Sequence, residues 1–321
     1  MKTSVVIITH NRPKLLLLTL KSLLNQTVPP NEVVIFDDAS NTSIVNLIEN
    51  FISRYRSIKI PIRVIRSNNE IGLGAARSIA AKNTTGDIII FLDDDVIAFE
   101  NLIGSYIKAF ENSCDIVAGI CYPLYVGLFN NGLPWWWNDK ILGGIVAVRN
   151  DVIYYSRKNV NPQDYVFGCN FAIRRNVLEA LKGFKPWLGR RGGLLLSGEE
   201  WDLCSRAVMK GFKICMSINS IVYHIIHASK INSRRILNLS RDLGRTRCLL
   251  AYEGVLHRNF PKYLIRTLGA TIKDIIEFTL TLLLINYALT MSRIFNFLLH
   301  LNTILLCKDA ICGKWCESGH E

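Results

Sequence analysis

The stretch GDIIIFLDDD, residues 86–95, decides the fold. Residues 88–92 are apolar throughout, which reads as a β-strand buried on both faces. It ends abruptly in three acids, Asp93, Asp94 and Asp95. Working outward, residues 4–9 form a short β-branched run, residues 32–37 a second apolar run ending in acid, and residues 62–65 a third strand candidate. Helix signals alternate with them. Residues 14–25 are leucine-rich and follow Pro13, a residue suited to a first helical turn. Residues 43–55 carry Val45, Ile48 and Ile52 at helical spacing, and residues 75–83 read as a further helix. Apolar strands separated by helices imply an α/β fold, a Rossmann-like and mostly parallel sheet with helices on both faces. Ligands of such sheets bind beyond the carboxyl ends of the strands. Those ends carry Asp37-Asp38 and Asp93-Asp94-Asp95.

In an extended chain side chains alternate, so Asp93 and Asp95 would share one face and Asp94 would point away. Two carboxylates on one face repel each other unless a cation lies between them. Their hard oxygens suit Mg²⁺ or Mn²⁺, with phosphate oxygens and water completing the shell. A solvated acidic loop or a helix cap is the bland alternative. At the second strand end, Asp38 is placed to accept hydrogen bonds from a base or a ribose hydroxyl, or to cap the helix near Ser43. Gly72-Leu73-Gly74-Ala75-Ala76-Arg77 opens a helix. Its glycines allow close backbone approach and Arg77 suits phosphate, although the third glycine of a dinucleotide fingerprint is missing.

Four segments taken together, TSVVIITHN (3–11), DDAS (37–40), NEIGLGAAR (69–77) and GDIIIFLDDD (86–95), resemble family 2 glycosyltransferases of the GT-A fold in order and spacing. The resemblance implies a nucleotide-sugar donor (a UDP-, GDP- or dTDP-sugar) and a Mg²⁺ or Mn²⁺ ion. It implies Thr9, Arg12, Asp38, Gly74, Arg77, Asp93 and Asp94 around the donor. Asp93 and Asp95 form the acid–x–acid pair, with Asp95 the best metal ligand. His224, in Val222-Tyr223-His224, resembles a residue that approaches the metal or diphosphate; a structural histidine is the alternative. Ser197-Gly198-Glu199-Glu200-Trp201-Asp202-Leu203 reads as a helix start, where acids are favoured by the dipole. An inverting transfer needs a carboxylate to deprotonate the acceptor hydroxyl. Spacing leaves Glu199 and Glu200 both eligible. The resemblance selects Glu200, with Glu standing where the family usually has Asp. Asp202 and Arg206, four apart, are expected to pair structurally. Asn170, Trp201 and Trp136 are the acceptor-side expectations, core packing being the alternative for the Trp135–Trp137 loop.

The chain has 321 residues and is half apolar, enough for a sizeable core and too apolar for disorder. Its net charge of +12 points to an anionic partner. Between Lys230 and Lys273 ten Lys or Arg face only Asp242 and Glu253, an excess of eight. There, Ile236, Leu239, Leu243 and Leu250 share a helical face opposite Arg234, Arg241 and Arg245, as suits anionic lipid headgroups or a lipid pyrophosphate. A solvated surface helix is the alternative. Residues 278–292 and 294–307 are uncharged, with Arg293 between them. Each run falls short of the ~18–20 residues of a membrane span, so an interfacial or re-entrant attachment with Arg293 at a turn is expected, a true span being the alternative.

Nine cysteines, an odd number spread through the chain, read as reduced intracellular usage. Cys307, Cys312, Cys316 and His320 match no common zinc spacing and read as free thiols in a frayed tail. No signal peptide is evident, and a peripheral position on the cytoplasmic side of the cell membrane is the expectation. The anticipated organisation is a GT-A domain over residues 1–228, with a donor half (1–115) and an acceptor half (116–228). A helical, apolar C-terminal region follows at 229–321. No nucleic-acid signature is present. The acceptor expected is a glycan or a lipid-linked glycan. The competing readings are a sugar nucleotidyltransferase, disfavoured because Thr9-His10-Asn11-Arg12-Pro13 lacks glycine, and a non-enzymatic basic membrane-binding protein.

Overall fold

A computed structural model describes residues 1–55, 60–127, 132–134, 137, 166–252, 265, 267–273, 275–276 and 287–311. Contacts divide the chain into two interleaved units. The first comprises residues 1–124, 147–186 and 199–226; the second comprises 125–146, 187–198 and 227–321. The second unit therefore takes two segments, 125–146 and 187–198, from within the stretch anticipated as one domain.

The first unit is built on an eight-stranded sheet in the order β3-β2-β1-β4-β7-β6-β8-β5. Its strands are β1 (Thr3–Thr9), β2 (Glu32–Asp38), β3 (Ile62–Ser67), β4 (Ile88–Asp93), β5 (Val96–Ala98), β6 (Ile116–Val126), β7 (Asn170–Arg174) and β8 (Ile214–His227). The parallel part is β3-β2-β1-β4, and β7 then runs antiparallel against β4 with Phe91 opposite Phe171. Helices α1 (Pro13–Leu24), α2 (Val45–Arg54), α3 (Leu73–Lys82) and α4 (Leu102–Glu111) connect the first strands, and α5 (Arg175–Ala180) and α6 (Glu199–Met209) follow β7.

Strand periodicity accounts for the two-sided core. Val5, Ile7, Val33, Ile35, Ile88 and Ile90 pack with Leu16, Leu20 and Leu23 of α1 and Tyr106 and Phe110 of α4. Their sequence neighbours Val6, Val34, Ile89 and Phe91 pack on the opposite face with Ala76 and Ala80 of α3, Phe184, and Leu203 of α6. Because successive side chains point to opposite faces, only strands apolar at every position can fill both layers. The chain moves from β1 outward to β3 and then returns to the other side of β1 as β4. This is a topological switch, and the crevice beyond the strand ends there is where open α/β sheets bind ligands. Thr9 and Asp93 stand at those two ends.

The expectation of reduced cysteines is corrected by a disulfide between Cys114 and Cys215, whose Cα atoms lie 5.9 Å apart. The reason is a pairing remote in sequence. Asp115 and Lys213 exchange two hydrogen bonds, Asp115 N to Lys213 O at 2.9 Å and Lys213 N to Asp115 Oδ2 at 2.8 Å. That pairing sets the two cysteines side by side across 101 residues of chain.

In the second unit, α7 (Ser233–Tyr252) packs against α8 (Tyr287–Ile311). Gly244 makes the close approach possible, since a Cβ there would lie 2.8 Å from Asn302 Cβ. Arg293 lies inside α8, so the expected turn at that residue is replaced by a continuous helix. Among the described residues, no helix is long and apolar enough to cross a membrane. Residues 278–286, 312–321 and Trp135-Trp136 lie outside the described residues.

Candidate active site

The strand ends do not stay extended. The chain turns at Asp94 and Asp95, and the alternation expected for the three acids is corrected accordingly. Asp94 and Asp95 share a partner instead. Arg12 Nη1 donates to Asp94 Oδ1 and to Asp95 Oδ2, at 3.1 Å each. Thr9 Oγ1 donates to Asp94 Oδ2 at 2.7 Å. Asp95 Oδ1 lies 3.2 Å from His224 Nε2, both side chains being buried. The antiparallel register of β5 and β8, with Val96 opposite His224, brings them together. Burial raises the Asp94 carboxyl to about 6; Arg12 opposes that rise, and the neighbouring Asp95 charge adds to it.

Asp93 faces a different cation. Arg77, only 2 % exposed, donates from Nη2 to Asp93 Oδ1 at 3.2 Å and to the Gly168 carbonyl at 2.8 Å, and from Nη1 to Glu199 Oε1 at 2.7 Å. Gly168 is required where it stands, because a Cβ would come within 2.7 Å of the guanidinium. The rings of Phe171 and Phe184 each lie 5.9 Å from Arg77 Cζ, a cation–π arrangement. Burial works to lower the Arg77 pKa, but Glu199 and Asp93 outweigh it and raise the pKa. A phosphate contact was expected of Arg77. The structure spends its guanidinium internally, tying the end of β4 and the loop before β7 to the start of α6. Arg77→Met should therefore destabilise the protein by about 3–5 kcal/mol, the usual cost of leaving buried carboxylates without their cation. Urea unfolding checks this, and a loss below about 1 kcal/mol would show that the strut is dispensable.

Asp38 is likewise engaged. Its Oδ1 accepts from Ile71 N (2.8 Å) and Ser67 Oγ (3.1 Å), and its Oδ2 accepts from Gly72 N (3.0 Å). Gly72, at φ +89°, occupies a conformation that favours glycine. Asp38 thus shapes the loop that opens α3, where Gly74 is buried in the first turn.

Glu199 and Glu200 begin α6, in the field of its N-terminal dipole. Glu199 is committed to Arg77. Glu200 is half-buried, and its Oε2, like Glu199 Oε2, is enclosed with no hydrogen-bond partner among the described residues. Burial, then the Glu199 charge, raise its carboxyl to about 8, with Arg77 pulling the other way. Trp201 follows, partly buried. Asp202 pairs with Arg206 at 2.7 Å, as the spacing predicts, and with Lys185 at 3.3 Å.

Asn170, expected on the acceptor side, is fully buried. It accepts from Tyr106 OH at 2.7 Å and donates to the carbonyls of Ile120 (3.0 Å) and Ser220 (2.9 Å). Its side chain therefore links strands inside the antiparallel half of the sheet. In the second unit Trp137 donates its indole N–H to Tyr125 OH at 3.0 Å; Trp136 lies outside the described residues.

In the contacts above, the carboxylates of Asp93, Asp94, Asp95 and Glu199 are paired with the guanidiniums of Arg12 and Arg77, with His224 beside Asp95 and Glu200 next to Glu199. Burial first, and then a neighbouring carboxylate, raise Asp94 to about 6 and Glu200 to about 8. Among the described residues, no three His, Cys, Asp or Glu side chains converge as a ready-made metal cage. Mg²⁺-type ions are commonly held by one or two carboxylates plus substrate phosphates, so a divalent ion brought with a diphosphate fits this donor set.

The family model for glycosyl transferase family 2 matches residues 4–182, more than half of the chain. The chain belongs to glycosyl transferase family 2. Among its relatives is the poly(ribitol-phosphate) beta-glucosyltransferase of Bacillus spizizenii, 35% identical over 122 residues, which are 37% of this chain and 19% of that protein. The glucosyl-dolichyl phosphate glucuronosyltransferase of Haloferax volcanii is 27% identical over 218 residues, 64% of this chain and 63% of that protein. These curated relatives are therefore matched over less than two thirds of their own length. The mannosyltransferase PcManGT from Pyrobaculum calidifontis, solved with GDP-Man and Mn²⁺, shares the fold at TM-score 0.61 and 13% identity, over 94% of this chain and 87% of that one. The family 2 chain thus has the α/β architecture of GT-A glycosyltransferases. Glu199, Glu200 and His224 lie beyond the residues that the family model matches.

Proposed function

We propose that the chain transfers a sugar, with inversion, from a nucleotide-diphosphate sugar to a hydroxyl of a glycan or lipid-linked glycan. One observation carries the reading. At the switch point of a family 2 sheet, five carboxylates gather around two guanidiniums, and Glu199 and Glu200 at the start of α6 each keep a buried oxygen with no hydrogen-bond partner among the described residues. Asp95 and His224, with Asp93 beside them, would hold Mg²⁺ or Mn²⁺. That ion supplies neutralisation of the charge developing on the leaving diphosphate. Thr9 and Arg12 fix the direction of Asp94 and Asp95. Asp38, by shaping the loop at Ile71 and Gly72, forms the donor's nucleoside side. Arg77 holds Glu199 and so positions Glu200. Glu200 takes the acceptor hydroxyl proton as the hydroxyl oxygen attacks the anomeric carbon. The bond from that carbon to the diphosphate breaks, and the diphosphate leaves with the electron pair.

Incubation with nucleotide sugars and Mn²⁺ tests this directly. Release of nucleoside diphosphate that a chelator abolishes is the expected result. Release of pyrophosphate from a nucleoside triphosphate would instead mark a sugar nucleotidyltransferase.

Membrane association belongs to the same reading, but on a different segment from the one expected. The described residues between 265 and 276 are helical, and their polarity is inverted. Thr267 and Thr271 are buried, while Ile265 is 71% exposed, Ile276 56%, Leu268 and Ile272 52% each, and Ile275 47%. A helix that turns its isoleucines outward, following a segment (residues 230–264) rich in Lys and Arg, suits an anionic lipid interface. Leu268→Gln and Ile272→Gln should each weaken flotation with phosphatidylglycerol vesicles by about tenfold or more, since a fully buried aliphatic side chain contributes ~1.5–3 kcal/mol. Unchanged flotation would remove the membrane from the account, and concentration-dependent dimerisation lost in the same variants would give the face to a second copy of the chain.

A further inference from the structure

Helix α1 carries a polar stripe. Thr19, Ser22 and, just past the helix, Gln26 interrupt a leucine-rich run at spacings of three and four, so they fall on one helical face. All three are buried. The strand they meet explains them. β5 ends the sheet and pairs with β8 along one edge. On that edge the Asp95 carbonyl accepts from Ile225 N at 2.8 Å, and Phe99 N donates to the Ile221 carbonyl at 3.0 Å. No strand follows on the other edge, and buried backbone groups left without partners there would cost stability. Side chains of α1 take the place of a strand. Thr19 Oγ1 accepts from Val96 N at 3.3 Å and shares its one proton between the carbonyls of Val96 (2.7 Å) and Asp94 (3.0 Å). Ser22 Oγ accepts from Ala98 N at 2.9 Å, and Gln26 Nε2 donates to the Phe99 carbonyl at 2.8 Å.

Thr19 differs from the other two in what it holds. Its bonds grip the main chain on both sides of Asp95, while β8 holds the Asp95 carbonyl from the opposite edge. Arg12 and His224 meet the Asp95 side chain, so that carboxylate is placed through backbone and side chain alike. We propose that Thr19 is a positioning residue for the ion site: its hydroxyl fixes the turn at Asp94 and Asp95 and so sets the affinity of this strand end for a divalent cation. The clamp on the turn stands on the geometry alone; its effect on the ion rests on the glycosyltransferase reading. Partners one step behind a metal ligand typically contribute about 10–100-fold to metal affinity.

Two measurements on the full chain test this. Calorimetric binding of UDP and GDP, with Mn²⁺ and with a chelator, reads the ion-dependent affinity. Hydrogen exchange over residues 93–98 reads the turn without any ion. Thr19→Val keeps the side chain's shape but loses the hydroxyl; it should weaken ion-dependent binding about 10–100-fold and speed exchange at Val96. Thr19→Ser keeps the hydroxyl and should restore both. Thr19→Cys, a weaker donor, should fall between them, and it carries the test if the valine variant does not fold. Ser22→Ala breaks a bond of the same kind beyond Asp95. It should lower the melting temperature yet leave ion-dependent affinity near wild type. Equal losses of affinity in Thr19→Val and Ser22→Ala would reduce Thr19 to a general support of the fold and overturn the proposal. Wild-type affinity in Thr19→Val would overturn it as well, whatever the exchange shows. Faster exchange in Thr19→Val, in a chain whose wild type shows no Mn²⁺-dependent binding, would refute the transferase reading and the role toward the ion together, leaving Thr19 as a clamp on β5 alone.

Discussion

Glu200→Gln should lower turnover by about 10²–10⁴-fold, the usual worth of general-base catalysis, with little change in donor affinity. The amide keeps the shape of the side chain but cannot take a proton, and the acceptor proton is the only one the proposed reaction removes. The pH dependence follows from the same group. In the free enzyme the carboxyl is raised to about 8, so kcat/KM should climb about tenfold per pH unit below that value and level off above it. In the donor complex a bound cation favours the carboxylate and moves the kcat limb lower. Stability runs the opposite way. A carboxyl raised from 4.5 to about 8 contributes stability that is complete below 4.5 and is lost as pH rises to about 8. Asp94, raised to about 6, adds to the lower part of that loss. Glu200→Gln should flatten the upper part, so one variant removes both an activity limb and a stability slope. Collapse of turnover in Glu199→Gln with near-normal Glu200→Gln would transfer the base to Glu199. Glu199→Gln should otherwise act through Arg77, lowering stability more than chemistry.

Asp95→Ala should abolish Mn²⁺-dependent donor binding while the chain still folds. Arg12 keeps Asp94 as a partner in that variant, so no buried guanidinium is stranded. In wild type, a donor at a hundred times its Kd stabilises the native state by about 2.7 kcal/mol, read as a rise in Tm; the variant should show none of it. Full donor stabilisation in Asp95→Ala would move the metal elsewhere, and Asp93→Ala would then be the next variant to lose it.

The sheet was legible in the sequence because its parallel strands are apolar at every position. Residues 4–9, 32–37 and 88–92 admit no other two-faced packing. The order of motifs gave the family. The geometry of the acids was not legible. A turn at Asp94 and Asp95 is invisible in a run of identical residues, and Arg12 reaches both across more than eighty residues of chain. Arg77 and Asn170 look like ligand contacts in a motif, but their burial is decided by Gly168 and by Tyr106, which no local pattern connects to them. The Cys114–Cys215 bond failed for the same reason, since it joins the starts of two strands paired only in the fold. In the second unit, apolar content alone suggested the membrane for residues 294–307. Packing of α8 on α7 at Gly244 gives those residues a protein partner instead. The inverted stripe at 265–276 did carry a signal, with Thr267 and Thr271 spaced four apart among isoleucines, but a helical wheel cannot say which face is covered.

The location of the ion tests the central claim most directly. Crystals grown with Mn²⁺ and a nucleoside diphosphate, measured at the manganese absorption edge, should give an anomalous peak within bonding distance of Asp95. The peak should also lie beside His224 Nε2, with the diphosphate oxygens completing the shell. A peak away from the Asp93–Asp95 turn, or nucleotide bound at the strand ends with no manganese beside it, would contradict the account.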